Sequence, residues 1–99
     1  KYKEAIVDFE KAISLKPDYL NALIGLGAMY QNLRDYQAAI KTYNKALAID
    51  PNHSGTHNNM AINYYSIRQY KLAIEHIDKA QTLGYKVQQA FLDELSQYR

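Results

Sequence analysis

The sequence contains no cysteine. That absence excludes a disulfide framework, a thiol nucleophile and a thiolate metal site together. A dominant charge sign is lacking too: twelve Lys and Arg stand against ten Asp and Glu, a net +2. So small an excess gives no electrostatic case for nucleic acid or an anionic membrane, and no nucleic-acid partner is expected. No apolar run approaches the roughly 18–20 residues of a membrane span, so no membrane insertion is expected. The expectation is a soluble chain of unknown compartment, with the cytoplasm slightly favoured. There is no P-loop, no Gly-rich dinucleotide turn and no G-x-S-x-G elbow. The most informative absence is local. Tyr19 to Leu33 contains no Asp, Glu, Lys or Arg, and neither does Asn52 to Ile67.

What is present is one phrase written three times. YKEAIVDFEKAISLKPD starts at Tyr2, YQAAIKTYNKALAIDPN at Tyr36 and YKLAIEHIDKAQTLGYK at Tyr70, each 34 residues after the last. Ala5, Ile6, Phe9, Ala12 and Ile13 fall on one stripe of a 3.6-residue wheel, so the phrase is an amphipathic helix. Ala39, Ile40, Tyr43, Ala46 and Leu47 repeat the stripe, and Ala73, Ile74, Ile77 and Ala80 repeat it again. Pro17 and Pro51 follow the first two helices and cannot continue them. Gly84 ends the third, as a residue tolerant of positive φ should.

Two further helices are predicted between the phrases, from about Tyr19 to Asn32 and from about Ser54 to Ile67. Asp18, Asp35 and Ser54 are candidate N-caps, because their side chains can accept from free backbone N–H groups. A last helix is predicted over about Val87 to Tyr98, with Phe91, Leu95 and Tyr98 turned inward. No linker or low-complexity stretch interrupts the series. The chain opens inside its first phrase and reads as a piece cut from a longer protein.

Two helices per 34 residues resemble the tetratricopeptide repeat family, whose motif is W-x₂-L-G-x₂-Y, A-x₃-F and P. Leu23, Leu26, Gly27 and Tyr30, then Ala39 and Tyr43, then Pro51 follow it. Met60, Ala61 and Tyr64, then Ala73 and Ile77, follow it again, with His57 in place of an aromatic and Tyr85 in place of Pro. Ala5, Phe9 and Pro17 are the second half of an earlier copy. The resemblance implies an all-α chain, a right-handed α-solenoid of antiparallel helix pairs. It divides into a half repeat over 1–19, complete repeats over 20–53 and 54–87, and a capping helix over 88–99. No single helical hairpin covers its own apolar face, so each copy leans on the next. Gly27 is expected where two helix backbones nearly touch.

Few residues invite chemistry. His53 and His57 are four apart with Asp50 nearby. Without a third fixed ligand they read as exposed, solvated residues, and no metal or other cofactor is expected. His76 reads as solvated beside Glu75 and Lys79. Asp93 and Glu94 point about 100° apart on a helix and form no acid–base pair. No catalytic site is found, and the chain is not expected to be an enzyme.

By the resemblance, the first helix of each repeat lines a concave groove. Removing the packing stripe leaves Asn21, Ile24, Gly25, Ala28, Gln31 and Asn32 on one helix. It leaves Asn58, Asn59, Ile62, Tyr65 and Ser66 on the other. Neutral amides can hold a peptide backbone without demanding charge, and Tyr65 offers rigid contact area with a polar tip. Some family members clamp a partner's C-terminal carboxylate with Lys, Arg and Asn on these helices. Neither complete first helix here carries Lys or Arg, so no such clamp is expected; only Arg99 at the chain end could contribute. The expected function is a scaffold that binds a protein or peptide partner in this uncharged groove. The alternatives are self-assembly into a homo-oligomer through the N-terminal half repeat, or a structural spacer of a larger protein.

Overall fold

The computed structural model describes residues 1–99. It contains six helices and no strand: α1 (Tyr2–Leu15), α2 (Leu20–Asn32), α3 (Tyr36–Ile49), α4 (Ser54–Ser66), α5 (Tyr70–Thr82) and α6 (Gln89–Ser96). The chain forms two compact units, Lys1–Pro51 with α1 to α3 and Asn52–Arg99 with α4 to α6.

In the first unit α2 packs on both α1 and α3. Ala22, Leu23 and Leu26 of α2 are buried, as are Ala39, Ile40, Tyr43 and Ala46 of α3. Full burial of a Leu or Ile side chain contributes about 1.5–3 kcal/mol. The small residues let the helices come close. A Cβ on Gly27 would lie 2.5 Å from the Tyr43 ring, which is fully buried. The close approach at Gly27 is therefore backbone against ring, not backbone against backbone as the sequence suggested. No residue of α1 is buried. Its stripe of Ala5, Ile6, Phe9, Ala12 and Ile13 is half-buried, and the Phe9 ring sits on Gly25 of α2.

In the second unit α5 packs on α4 and on α6. Ala61, Ala73, Ile77 and Leu95 form a fully buried cluster, with Tyr64, Tyr65, Ile74, Val87, Phe91 and Leu92 packed around it. Leu95 brings α6 into this core. The chain end is tied back: Tyr98 stacks flat on Tyr70 at 3.7 Å, and the Arg99 guanidinium donates to both Asp78 oxygens at 2.6 and 3.1 Å.

The ends of α2, α4 and α5 follow one rule. After α2, Asp35 N–H donates to Tyr30 C=O (2.9 Å) and Arg34 N–H to Gln31 C=O (3.0 Å). After α4, Gln69 N–H donates to Tyr64 C=O (2.8 Å) and Arg68 N–H to Tyr65 C=O (3.0 Å). Tyr85 and Gly84 repeat the pair after α5, at 2.9 Å each. These are Schellman closures, which need a left-handed residue. Gly84 takes that place at φ 94°, but Arg34 and Arg68 take it at 62° and 63°. Asp35 caps α3 as expected, its Oδ1 accepting from Ala38 N–H at 3.2 Å. The other two expected caps are displaced by one residue. Tyr19, not Asp18, precedes α2 and makes no side-chain cap. His53, not Ser54, caps α4, its Nδ1 accepting from Thr56 N–H at 3.1 Å. The last helix is shorter than expected because Tyr85 to Gln88 form no helix before Gln89, with Gln88 in an extended conformation.

Candidate functional site: a pocket beside an amide-bearing helix

On α4, three of the residues singled out from the sequence come together. Asn58, Ile62 and Tyr65 are each half-buried and line one wall of a pocket of about 430 Å³. The facing wall is Tyr85, Lys86, Val87 and Gln88, with Phe91 of α6. Spacing explains the first wall: Asn58, Ile62 and Tyr65 lie at i, i+4 and i+7 and share a helix face. The second wall follows from Gly84. Its positive φ turns the chain out of α5 into the non-helical Tyr85–Gln88 segment. Asn59 is half-buried and outside this lining; its carbonyl accepts from the Asn63 amide at 2.7 Å.

Tyr65 is also held by its neighbours. Its ring meets Tyr70, Phe91 and Tyr98 edge-on, with centroids 5.5, 5.7 and 6.4 Å away. Its hydroxyl donates to Glu94 Oε2 at 2.8 Å. That hydrogen bond, with help from burial, pushes the Tyr65 phenol up to about 12. Glu94 also accepts from Gln97 Nε2 at 2.9 Å, so it is a fixed acceptor and not free solvated charge. Arg99 is likewise engaged, by Asp78.

The α2 strip has a different character. Asn21 is exposed and rims a hollow of about 280 Å³ with Phe9, Ala12 and Ala22. Ile24 and Ala28 are half-buried. Gln31 uses its amide oxygen to accept from the Tyr43 hydroxyl at 3.2 Å. Gly25, expected among the groove residues, lies under the Phe9 ring. A Cβ there would sit 2.5 Å from Phe9 Cζ, so its smallness serves the α1–α2 contact.

The histidines also depart from expectation. His57 is buried, and its Nδ1 lies 3.0 Å from Nδ1 of His76. The two rings stack at 5.2 Å, and Tyr64 stacks on the other side of His76 at 5.4 Å. One ring's Nδ1–H donates to the other's Nδ1, so the pair needs at least one unprotonated nitrogen. Burial, and then the neighbouring His57, hold His76 below its ordinary value, while Glu75 acts weakly the other way. His76 is half-buried against His57 although charged residues flank it in sequence. The usable clue was that His57 stands at the motif's aromatic position. No three His, Cys, Asp or Glu side chains gather as a metal-binding group. No helix is long and apolar enough to cross a membrane.

The second wall of the pocket lies outside the residues expected from the sequence. Its one signal was Tyr85 in place of the motif's Pro, since a different residue there allows a different path out of α5.

Tetratricopeptide-repeat family models match residues 1–19 and 20–53, together just over half of the chain. The chain belongs to the tetratricopeptide repeat family, and its all-α architecture is that of a tetratricopeptide-like solenoid. No curated protein sequence matches. Among solved structures, a MamA mutant is 28% identical with a TM-score of 0.81, over 87% of this chain and 63% of that one. A second MamA mutant is 29% identical with a TM-score of 0.80, over 92% and 51%. This chain thus spans between about half and 63% of those MamA chains. The first TPR of Spaghetti (RPAP3), bound to the HSP90 peptide SRMEEVD, has a TM-score of 0.93 over 99% of this chain and 79% of its own. At 18% identity that likeness shows the fold alone.

Proposed function

We propose that this chain is a non-catalytic protein-interaction module. It holds a peptide segment of a partner against the uncharged face of a first helix, either Asn21, Ile24, Ala28 and Gln31 on α2 or Asn58, Asn59, Ile62 and Tyr65 on α4. The observation that carries the reading is the pocket on α4. Half-buried apolar side chains stand there beside amides that can accept and donate, which is the composition of a site that desolvates a ligand yet satisfies its backbone. The outer helices offer mainly solvated charge, and exposed ion pairs contribute only about 0–1 kcal/mol. The peptide in the Spaghetti structure ends Glu-Glu-Val-Asp. Here α2 and α4 carry no cation to receive such an end. The preferred partner is therefore not selected by an acidic terminus on these two helices.

The test is selection of binders from a random-peptide library by the purified chain, followed by mapping of one selected peptide with backbone amide shifts. Shifts on α2 or α4, and weakening by Asn58→Ala but not by Lys41→Ala, support the reading. Failure to select any peptide, or shifts confined to α1, α3 and α5, overturns it. Sedimentation of the same sample decides whether copies self-associate through α1.

A further inference from the structure

We propose that the pocket of the second unit is a two-part subsite for an apolar side chain with a neighbouring carboxylate side chain in the bound peptide. This rests on the peptide-binding reading and names its chemistry. The apolar half is built from Ile62, Val87 and Phe91, all half-buried, with Tyr65 held in place at its side by Tyr70, Tyr98 and Glu94. About 430 Å³ lies within the range of ligand-holding clefts and admits a Phe or Leu side chain. The charged half is Lys86. It is exposed, lines the pocket and takes part in neither the Lys1–Glu4 nor the Arg99–Asp78 ion pair. No carboxylate lines the pocket, and the nearby Glu94 is already an acceptor for Tyr65 and Gln97.

One unpaired cation at the rim of an apolar hollow, with Asn58 and Gln88 as neutral flanks, is complementary to an apolar side chain with an adjacent anion. The lone positive charge also separates a peptide from a nucleic acid. A phosphodiester backbone is held by several cations along a track, and this pocket has one. Because Lys86 follows α5, the charge lies outside the helices on which the resemblance places ligand contacts. A peptide that reads it must reach past α4 to the Tyr85–Gln88 segment.

Three capped tetrapeptides test the subsite by backbone amide shifts of the full chain at millimolar peptide: Gly-Phe-Asp-Gly, Gly-Phe-Asn-Gly and Gly-Ala-Asp-Gly. The first is expected to shift Asn58, Ile62, Val87 and Gln88. The second should bind about three- to fivefold more weakly, as loss of one exposed ion pair implies. The third should lose about tenfold or more, because the apolar contact is gone. Lys86→Gln, at an exposed position outside every helix, should make the first two equal. Equal affinity of the first two for the unaltered chain overturns the proposal. Shifts that avoid Tyr85 to Phe91 but appear on Asn21 to Gln31 also overturn it, while leaving the broader peptide-binding reading standing. Absence of any shift overturns the subsite even where the library selection succeeds.

Discussion

At the scale of single residues, the two glycines of α2 separate two effects. Gly→Ala in a helix interior gains about 1 kcal/mol of propensity. At Gly27 the added Cβ meets the fully buried Tyr43 ring at 2.5 Å, and that ring has nowhere to move. Gly27→Ala is expected to destabilise by about 1–3 kcal/mol, the usual range for overpacking. At Gly25 the obstacle is Phe9, which is only half-buried on a helix without a buried residue. Its ring can swing outward, so Gly25→Ala should fall within about 1 kcal/mol of neutral. Urea unfolding of the two variants checks the ordering, and equal losses contradict it.

The histidine pair makes a second residue-scale prediction. His76 is held below its unfolded value by burial and by His57. The unfolded chain therefore binds the proton more readily, so this group's effect is absent at high pH and turns destabilising as pH falls through the unfolded value of about 6.5. The penalty stops growing below the folded value. A second proton on the facing Nδ1 atoms would also set two donors against each other at 3.0 Å. The melting temperature should fall between pH 7.5 and 5, and His76→Gln should flatten that fall. An identical slope in the variant removes the pair as its source.

At the scale of elements, α6 is a short helix whose hold on the second unit is concentrated in few side chains. Leu95 is fully buried with Ala61, Ala73 and Ile77, while Gln89, Asp93, Glu94 and Gln97 stay exposed. Leu95→Ala should therefore destabilise by about 2–5 kcal/mol, the range for a buried Leu. The Arg99–Asp78 pair is geometrically good but half exposed, so its removal should matter far less, about 0–1 kcal/mol. Thermal melts of Leu95→Ala and Arg99→Ala decide it, and comparable losses would transfer the anchoring role to the ion pair. Loss of α6 packing also frees Tyr65, so Leu95→Ala should blur the pocket even where the chain remains folded.

At the scale of the whole molecule, charge decides what kind of partner suits the chain. Twelve cations and ten anions leave little long-range field. The amide-bearing faces of α2 and α4 hold no charge, and Lys86 is the one cation at the pocket. Peptide affinity should then change by only a few-fold between 0.05 and 0.5 M salt, as one screened contact predicts. A fall of a hundredfold or more over that range would place several ion pairs in the complex. It would move the site toward the Lys-bearing outer helices.

The sequence by itself determined the helices and their pairing. The 34-residue period repeats the same apolar stripe, and a repeated local problem has a repeated local solution. Asp35 as a cap and Gly84 as a stop were legible for the same reason, because each acts within a few residues of itself. Tertiary structure alone decided which polar groups are wet. His57 and His76 are nineteen positions apart and meet only across two packed helices. Glu94 reaches Tyr65 from another helix, twenty-nine positions away. Gly25 reads as open surface until Phe9 is laid on it. Half of the candidate site was visible on α4, where spacing fixes a face. The other half depended on the direction the chain takes after Gly84. Helical periodicity does not encode that path, because contacts of Val87, Phe91 and Leu95 with the core settle it.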